Sequence, residues 1–216
     1  MKFGVIRFPG TCDDVDAQLA AQRVADAEIL WHRDRDLKGV DAVVVPGGFS
    51  YGDYLRAGAI ARFAPVMEEV IEFAHEGGIV FGICNGFQVL CEAGLLPGAL
   101  LVNDHLKFVF RQVTLDVLSH DTIFTRGCPA QLSIPVKHTT GRYYSPTPVQ
   151  AVLKYAPGQN PNGSQDDIAG VVNEQGNVFG LMPHPEHAVD PLTGSTDGLT
   201  LFDSIRAAVE DRVASA

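Results

Sequence analysis

The sequence predicts an α/β fold: an open, mostly parallel sheet flanked by helices, with additional antiparallel strands. Three observations predict it. Short β-branched runs alternate with helical apolar periods through the first hundred or so residues, the rhythm of βαβ units and a parallel sheet. Beyond residue 106, strand patterns follow one another with no helix of crossover length between them, so these pair antiparallel. An amphipathic stretch over residues 196–213, with Leu199, Phe202, Ile205, Val209 and Val213, closes the chain as a helix. No internal repeat, low-complexity tract or linker interrupts it, and residues 1–216 are expected to form one domain.

Residues 2–8 read as the first strand through Phe3, Val5, Ile6 and Phe8. A turn over residues 9–14 places Asp13 or Asp14 to cap the helix that runs through Val15, Leu19 and Val24. Residues 28–32 form a short second strand, and residues 41–45 a β-branched one that ends at Pro46-Gly47-Gly48. Residues 46–56 are then a long loop at the C-terminal end of a strand, the edge of an open α/β sheet where ligands bind. Gly47-Gly48 lets backbone N–H groups approach an anion or oxyanion closely, although a flexible surface turn fits the same residues. Over residues 59–76, Ile60, Phe63, Met67, Val70, Ile71 and Ala74 recur at helical spacing, with Pro65 in the first turns and Gly77-Gly78 at the end.

Residues 79–83 are a short apolar run, a buried strand. It breaks at Gly82-x-Cys84-x-Gly86, and Phe87, Val89, Leu90 and Leu95 then follow a helical pattern that stops at residues 94–98. Strand, sharp turn and helix carry one nucleophile at the apex. A side chain at either glycine would clash where strand and helix pack closely. At a helix N-terminus the dipole and free amides favour the thiolate over the thiol. Taken alone, Cys84 reads equally well as a small buried hydrophobe. The flanking strand and helix, with a partner motif 100 residues later, favour the nucleophile.

Residues 106–118, 131–137 and 149–155 read as further strands, with a polar, aromatic-rich loop over residues 137–144. Residues 158–167 are turn-rich and expected to be mobile, and residues 168–172 and 178–182 make a hairpin. The partner motif follows that hairpin, at Pro183-His184-Pro185-Glu186-His187. Its prolines bias His184 and Glu186 toward extended backbone, where residues two apart share a side. Glu186 then orients one nitrogen of His184 and leaves the other for the nucleophile, a Cys–His–carboxylate triad. A surface histidine, a structural turn and a His184/His187 metal pair are the competing readings. The metal pair is the poorer geometry on a non-helical segment with no third ligand evident.

A net charge of −10, with sixteen scattered Lys and Arg, excludes a nucleic-acid or acidic-membrane surface. No apolar run reaches the length of a transmembrane helix, and Arg7 and Pro9 interrupt the first apolar residues, so no signal peptide is read and a cytoplasmic location is expected. The four cysteines show no C-x-x-C, which argues against a zinc knuckle or dithiol redox site.

Residues 82–88 together with Pro183-His184-Pro185-Glu186 resemble class I, triad-type glutamine amidotransferases, which have a flavodoxin-like fold. Residues 46–56, 92–98 and 194–198, with Asn85, resemble in particular the glutaminase subunits of phosphoribosylformylglycinamidine synthase, from purine biosynthesis. The resemblance implies glutamine as substrate, Cys84 as nucleophile, His184 as proton carrier and Glu186 as its orienting group. It implies an oxyanion hole of backbone N–H groups from Asn85 and from Gly48 or Phe49, and a glutamine contact from Gln88. It also implies a large synthetase subunit and a small third subunit as partners, with ammonia passed between active sites. No phosphate-binding loop is present, so no cofactor is expected on this chain, and ATP and magnesium are expected on the synthetase. His138-Thr139-Thr140-Gly141 departs from the family's His-Gly-Glu-Gly-like segment, which removes a carboxylate from that loop. A stand-alone cysteine hydrolase and a non-catalytic binding module on a related fold are the alternatives.

Overall fold

Strand β1 (Lys2–Arg7) buries Phe3 and Val5 on one face and Ile6 on the other, so it belongs inside a sheet covered on both sides. The computed structural model describes residues 1–215. In it, β2 (Asp26–Trp31) and β3 (Ala42–Val45) flank β1 in parallel, β4 (Ile79–Ile83) pairs with β3, and β11 (Val178–Leu181) pairs with β4, again in parallel. From β11 the same sheet continues antiparallel through β10 (Ile168–Val172), β9 (Gln150–Tyr155), β6 (Val109–Val117) and β7 (Gln131–His138). The order is β2-β1-β3-β4-β11-β10-β9-β6-β7. The expected antiparallel strands therefore extend the parallel sheet instead of forming a second layer. A ribbon of β5 (Ala99–Leu101) and β8 (Arg142–Tyr144) stands apart, on three-residue segments too short to show a period.

The helices are α1 (Asp14–Gln22), α2 (Pro65–His75), α3 (Asn85–Glu92) and α4 (Leu199–Ala214). α2 starts six residues later than the apolar period predicts. Pro65 sits at its first position and forces Ala64 into extended backbone (φ −64°, ψ 141°), so residues 61–63 make only a 3-10 turn and Phe63 is left exposed. Residues 158–167 form the expected turns, and these are cross-linked by side-chain bonds. Asn160 Oδ1 accepts N–H bonds from residues 162–164, and Asn162 Nδ2 donates to Gly141 O at 2.9 Å.

Under β4, Phe81 stacks on Phe179 at 5.5 Å, with Phe124 and Phe202 against them. Each such pair adds roughly 0.5–1.5 kcal/mol beyond its buried area, so the strand ending at residue 83 is firmly seated. At the other end of the sheet β7 is an edge strand, which is why it tolerates Pro135. Its free edge is not solvated. Ser133 N–H donates to Asp197 Oδ2 at 2.7 Å, and Pro135 O accepts the His184 N–H at 2.8 Å. Among the described residues no helix is long and apolar enough to cross a membrane.

Candidate active site

β4 ends at Ile83 and α3 begins at Asn85, so Cys84 is the whole turn. Its φ of 51° and ψ of −104° are strained for a residue with a side chain. The chain is held there by Cys84 N–H to Leu181 O (2.8 Å) and by Gln88 N–H to Cys84 O (3.2 Å). Both elbow glycines are required by packing. A Cβ on Gly86 would lie 1.8 Å from Val45 O, and one on Gly82 would lie 2.9 Å from the Gly86 carbonyl carbon. Cys84 is 6% exposed, and its Sγ lies 4.0 Å from the Lys137 carbonyl oxygen.

His184 follows β11. The residues after it are not extended as the prolines predict: Pro185–His187 is a 3-10 turn, closed by His187 N–H to His184 O at 3.1 Å. The turn itself returns Glu186 beneath the imidazole, with His184 Nδ1 2.6 Å from Glu186 Oε1. Both side chains are buried, and His184 Nε2 and Glu186 Oε2 make no hydrogen bond. Burial alone would push the His184 imidazolium down. The Glu186 carboxylate and then the Cys84 sulfur outweigh it and raise the pKa from 6.5 to about 10. The ring is thus a stronger base than a free imidazole.

The Asn85 N–H is the first amide of α3 and has no helical acceptor. Gly48 meets Thr11 as a non-hydrogen-bonded antiparallel pair, flanked by Cys12 N–H to Gly47 O (3.2 Å) and Phe49 N–H to Gly10 O (2.9 Å). In such a pair the N–H points away from the bridge, so Gly48 keeps a free donor while Phe49 does not. Of the two N–H groups expected as alternatives, that of Phe49 is taken by Gly10 O and that of Gly48 is not. Gln88 already has protein partners. Its amide nitrogen donates to Thr140 O and its oxygen accepts from Asn85 Nδ2, so it ties α3 to the 138–141 turn instead of presenting a free amide to a substrate. Asn85 joins the 46–56 loop to the elbow, accepting from Ser50 N–H at 3.0 Å and donating to Asp53 Oδ1 at 3.1 Å. His138 is held between Asn103 and Asn162, and burial, followed by the charge on His184, pushes its pKa down to about 3, so it is neutral.

Three residues beside His184 carry no sequence signal of their role. Asp13 stands at the N-cap of α1 but makes no capping bond. Its buried carboxylate pairs with Lys137 Nζ and lies 3.4 Å from His187 Nε2 and 3.7 Å from His184 Nδ1. Burial pushes the Asp13 carboxyl up, but the bond from His187, the His184 charge and the Lys137 ammonium together hold it far below the ordinary 3.8. Donor atoms of Asp13, His184, Glu186 and His187 lie within 4.8 Å of one another. They are tighter than the dismissed His184/His187 metal pair implied. The Lys137 ammonium already engages two of them, Asp13 and His187.

Residues 1–199 match the CobB/CobQ-like glutamine amidotransferase domain. The chain belongs to this amidotransferase family. Within the family it is similar to the phosphoribosylformylglycinamidine synthase subunit PurQ of Mycolicibacterium paratuberculosis, 60% identical over 216 residues that cover 94% of this chain and 96% of that one. It is 51% identical to the subunit of the same name from Thermus thermophilus, with the same coverages. A chain in the solved structure of PurLQS from Thermotoga maritima superposes with a TM-score of 0.92 at 42% identity, covering 96% of this chain and 98% of that one. A second glutamine amidotransferase from Thermotoga maritima, at 16% identity and a TM-score of 0.60 over 100% of this chain and 99% of that one, shares the fold alone.

Proposed function

We propose that this amidotransferase is the glutaminase subunit of a phosphoribosylformylglycinamidine synthase, acting in purine biosynthesis through Cys84, His184 and Glu186. One observation carries the assignment of roles: an imidazole clamped at Nδ1 by a buried carboxylate, with Nε2 unbonded and the Cys84 sulfur beside it. The thiol proton passes to His184, and the thiolate adds to the side-chain carbonyl carbon of glutamine. The resulting oxyanion is met by the N–H groups of Gly48 and Asn85, each worth roughly 3–4 kcal/mol of transition-state stabilisation. His184 returns its proton to the departing nitrogen, ammonia leaves, and a γ-glutamyl thioester remains on Cys84. Water, deprotonated by His184, then releases glutamate and restores the thiol.

Free ammonia would be protonated and diluted in water, so the product has to move directly to the acceptor site on a synthetase subunit. That partner, in the cytoplasm with a small third subunit, supplies ATP and magnesium in this proposal. The slight exposure of Cys84 supports a weak glutaminase when the chain is alone, opened by docking. A diazo-ketone analogue of glutamine tests the reading. It is expected to label Cys84 in the assembled complex, with excess glutamine protecting. Labelling without protection would instead favour a stand-alone cysteine hydrolase, and no labelling a binding module.

A further inference from the structure

We propose that Asp13, steadied by Lys137, is a second carboxylate that positions and charges His184. This rests on the glutaminase reading for its catalytic meaning, though not for its electrostatics. Asp13 faces inward although it stands where a helix cap belongs, and its backbone is fixed by Asp13 N–H to Gly47 O at 3.2 Å. One oxygen, Oδ2, lies 3.7 Å from the same His184 nitrogen that Glu186 holds, while Oδ1 is taken by Lys137 Nζ. The approach exists because residue 47 has no side chain: a Cβ there would lie 2.4 Å from Asp13 Oδ2 and 2.8 Å from His184 Cε1. Lys137 links the two sides of the site, its carbonyl toward the Cys84 sulfur and its ammonium on Asp13.

The groups facing His184 are Glu186 and His187 from its own turn, Asp13 from the start of α1, Cys84 from the elbow, and Lys137 and His138 from β7. Asp16 stands one contact further out, 3.7 Å from His187. When the Cys84 proton moves to His184, the new imidazolium is flanked by two anions, Glu186 and Asp13. No proton passes to Asp13, which the bond from His187, the His184 charge and the Lys137 ammonium keep ionised. Asp13 is thus a positioning residue, and Lys137 tempers its pull on the imidazolium.

The signs of two substitutions separate this from a packing role. Asp13→Asn keeps the shape and removes an anion 3.7 Å from the ring, so the His184 midpoint, read by NMR of 15N-labelled histidine, is expected to fall by about one pH unit. Lys137→Met removes a cation and is expected to move the midpoint the other way. A packing role would move both variants in one direction or neither, and that result overturns the proposal. In the reconstituted complex, Asp13→Asn is expected to lower kcat for glutamine hydrolysis about tenfold, the rate equivalent of one unit, with KM unchanged. Should Asp13→Asn not fold, the upward shift in Lys137→Met alone decides, and its absence defeats the proposal. A wild-type complex that hydrolyses no glutamine, with both midpoints shifted as expected, removes the glutaminase reading and leaves this electrostatic one standing.

Discussion

Gly47→Ala places one methyl group in the gap between Asp13 and His184. Ordinary contact begins near 3.4 Å, and the new Cβ would fall short of it by about 1.0 Å at Asp13 Oδ2 and about 0.6 Å at His184 Cε1. Neither neighbour can yield freely, because His184 is tied by its N–H to Pro135 and by its ring to Glu186, and Asp13 by Lys137. Residue 47 does not use left-handed backbone, so alanine adds no strain there and gains about 0.4–1 kcal/mol by restricting the unfolded chain. Overpacking costs about 1–3 kcal/mol, which leaves a net loss on the order of 1–2 kcal/mol. Displacing the imidazole by about 0.6 Å is the larger effect, on the order of 10- to 10²-fold in rate. Urea denaturation and glutamine hydrolysis in the reconstituted complex measure the two separately. Wild-type turnover in a folded Gly47→Ala protein would refute the idea that this gap sets the imidazole's position.

Glu186→Gln keeps a hydrogen-bond partner for His184 but withdraws its charge. Its kcat in steady-state hydrolysis is expected to fall about 10²- to 10⁴-fold with KM little changed, and a rate near wild type speaks against the triad. Asn177→Ala removes 2.7 Å bonds to Ala74 O and Gly78 O where α2 turns into β4. Ala74 O keeps the Gly77 N–H at 3.1 Å, so the loss falls mainly on Gly78 O and is expected to destabilise the fold by about 1–3 kcal/mol in urea, and a loss under about 0.5 kcal/mol would contradict it. The Asp13 carboxyl is depressed in the folded state, so its stabilisation is present above the ordinary 3.8 and lost as pH falls through the folded value. The stability gap between wild type and Asp13→Asn should accordingly be full at pH 7 and shrink below about pH 4. A gap that grows on acidification has the wrong sign.

The parallel half of the sheet, the elbow and the closing helix were legible because each is a local pattern: β-branched runs, a glycine pair around one nucleophile, a 3.6-residue period. The placement of Cys84 at the elbow and of His184 against Glu186 was legible for the same reason, as two short motifs. The start of α2 was misplaced because the apolar period ran on through Ile60 and Phe63, while Pro65 set the boundary through its effect on Ala64. Asp13 was read as a cap because a sequence shows an aspartate before a helix and not the lysine 124 positions away that turns it inward. The bonds that Phe49 and Gln88 make were illegible on similar grounds, since Gly10 and Thr140 engage them from segments remote in sequence.

The fastening of β7 has a consequence for how the protein matures. Residues 133, 135 and 137 lie on the last strand of the sheet, yet their main-chain groups reach Asp197, His184 and the Cys84 sulfur. Nucleophile and imidazole sit on neighbouring central strands, but the rim that steadies them is delivered by the opposite extremity of the molecule. A nascent chain that has completed only its first hundred residues holds the sulfur without its proton acceptor, and is chemically silent. Competence therefore depends on the far border of the sheet as well as on its centre.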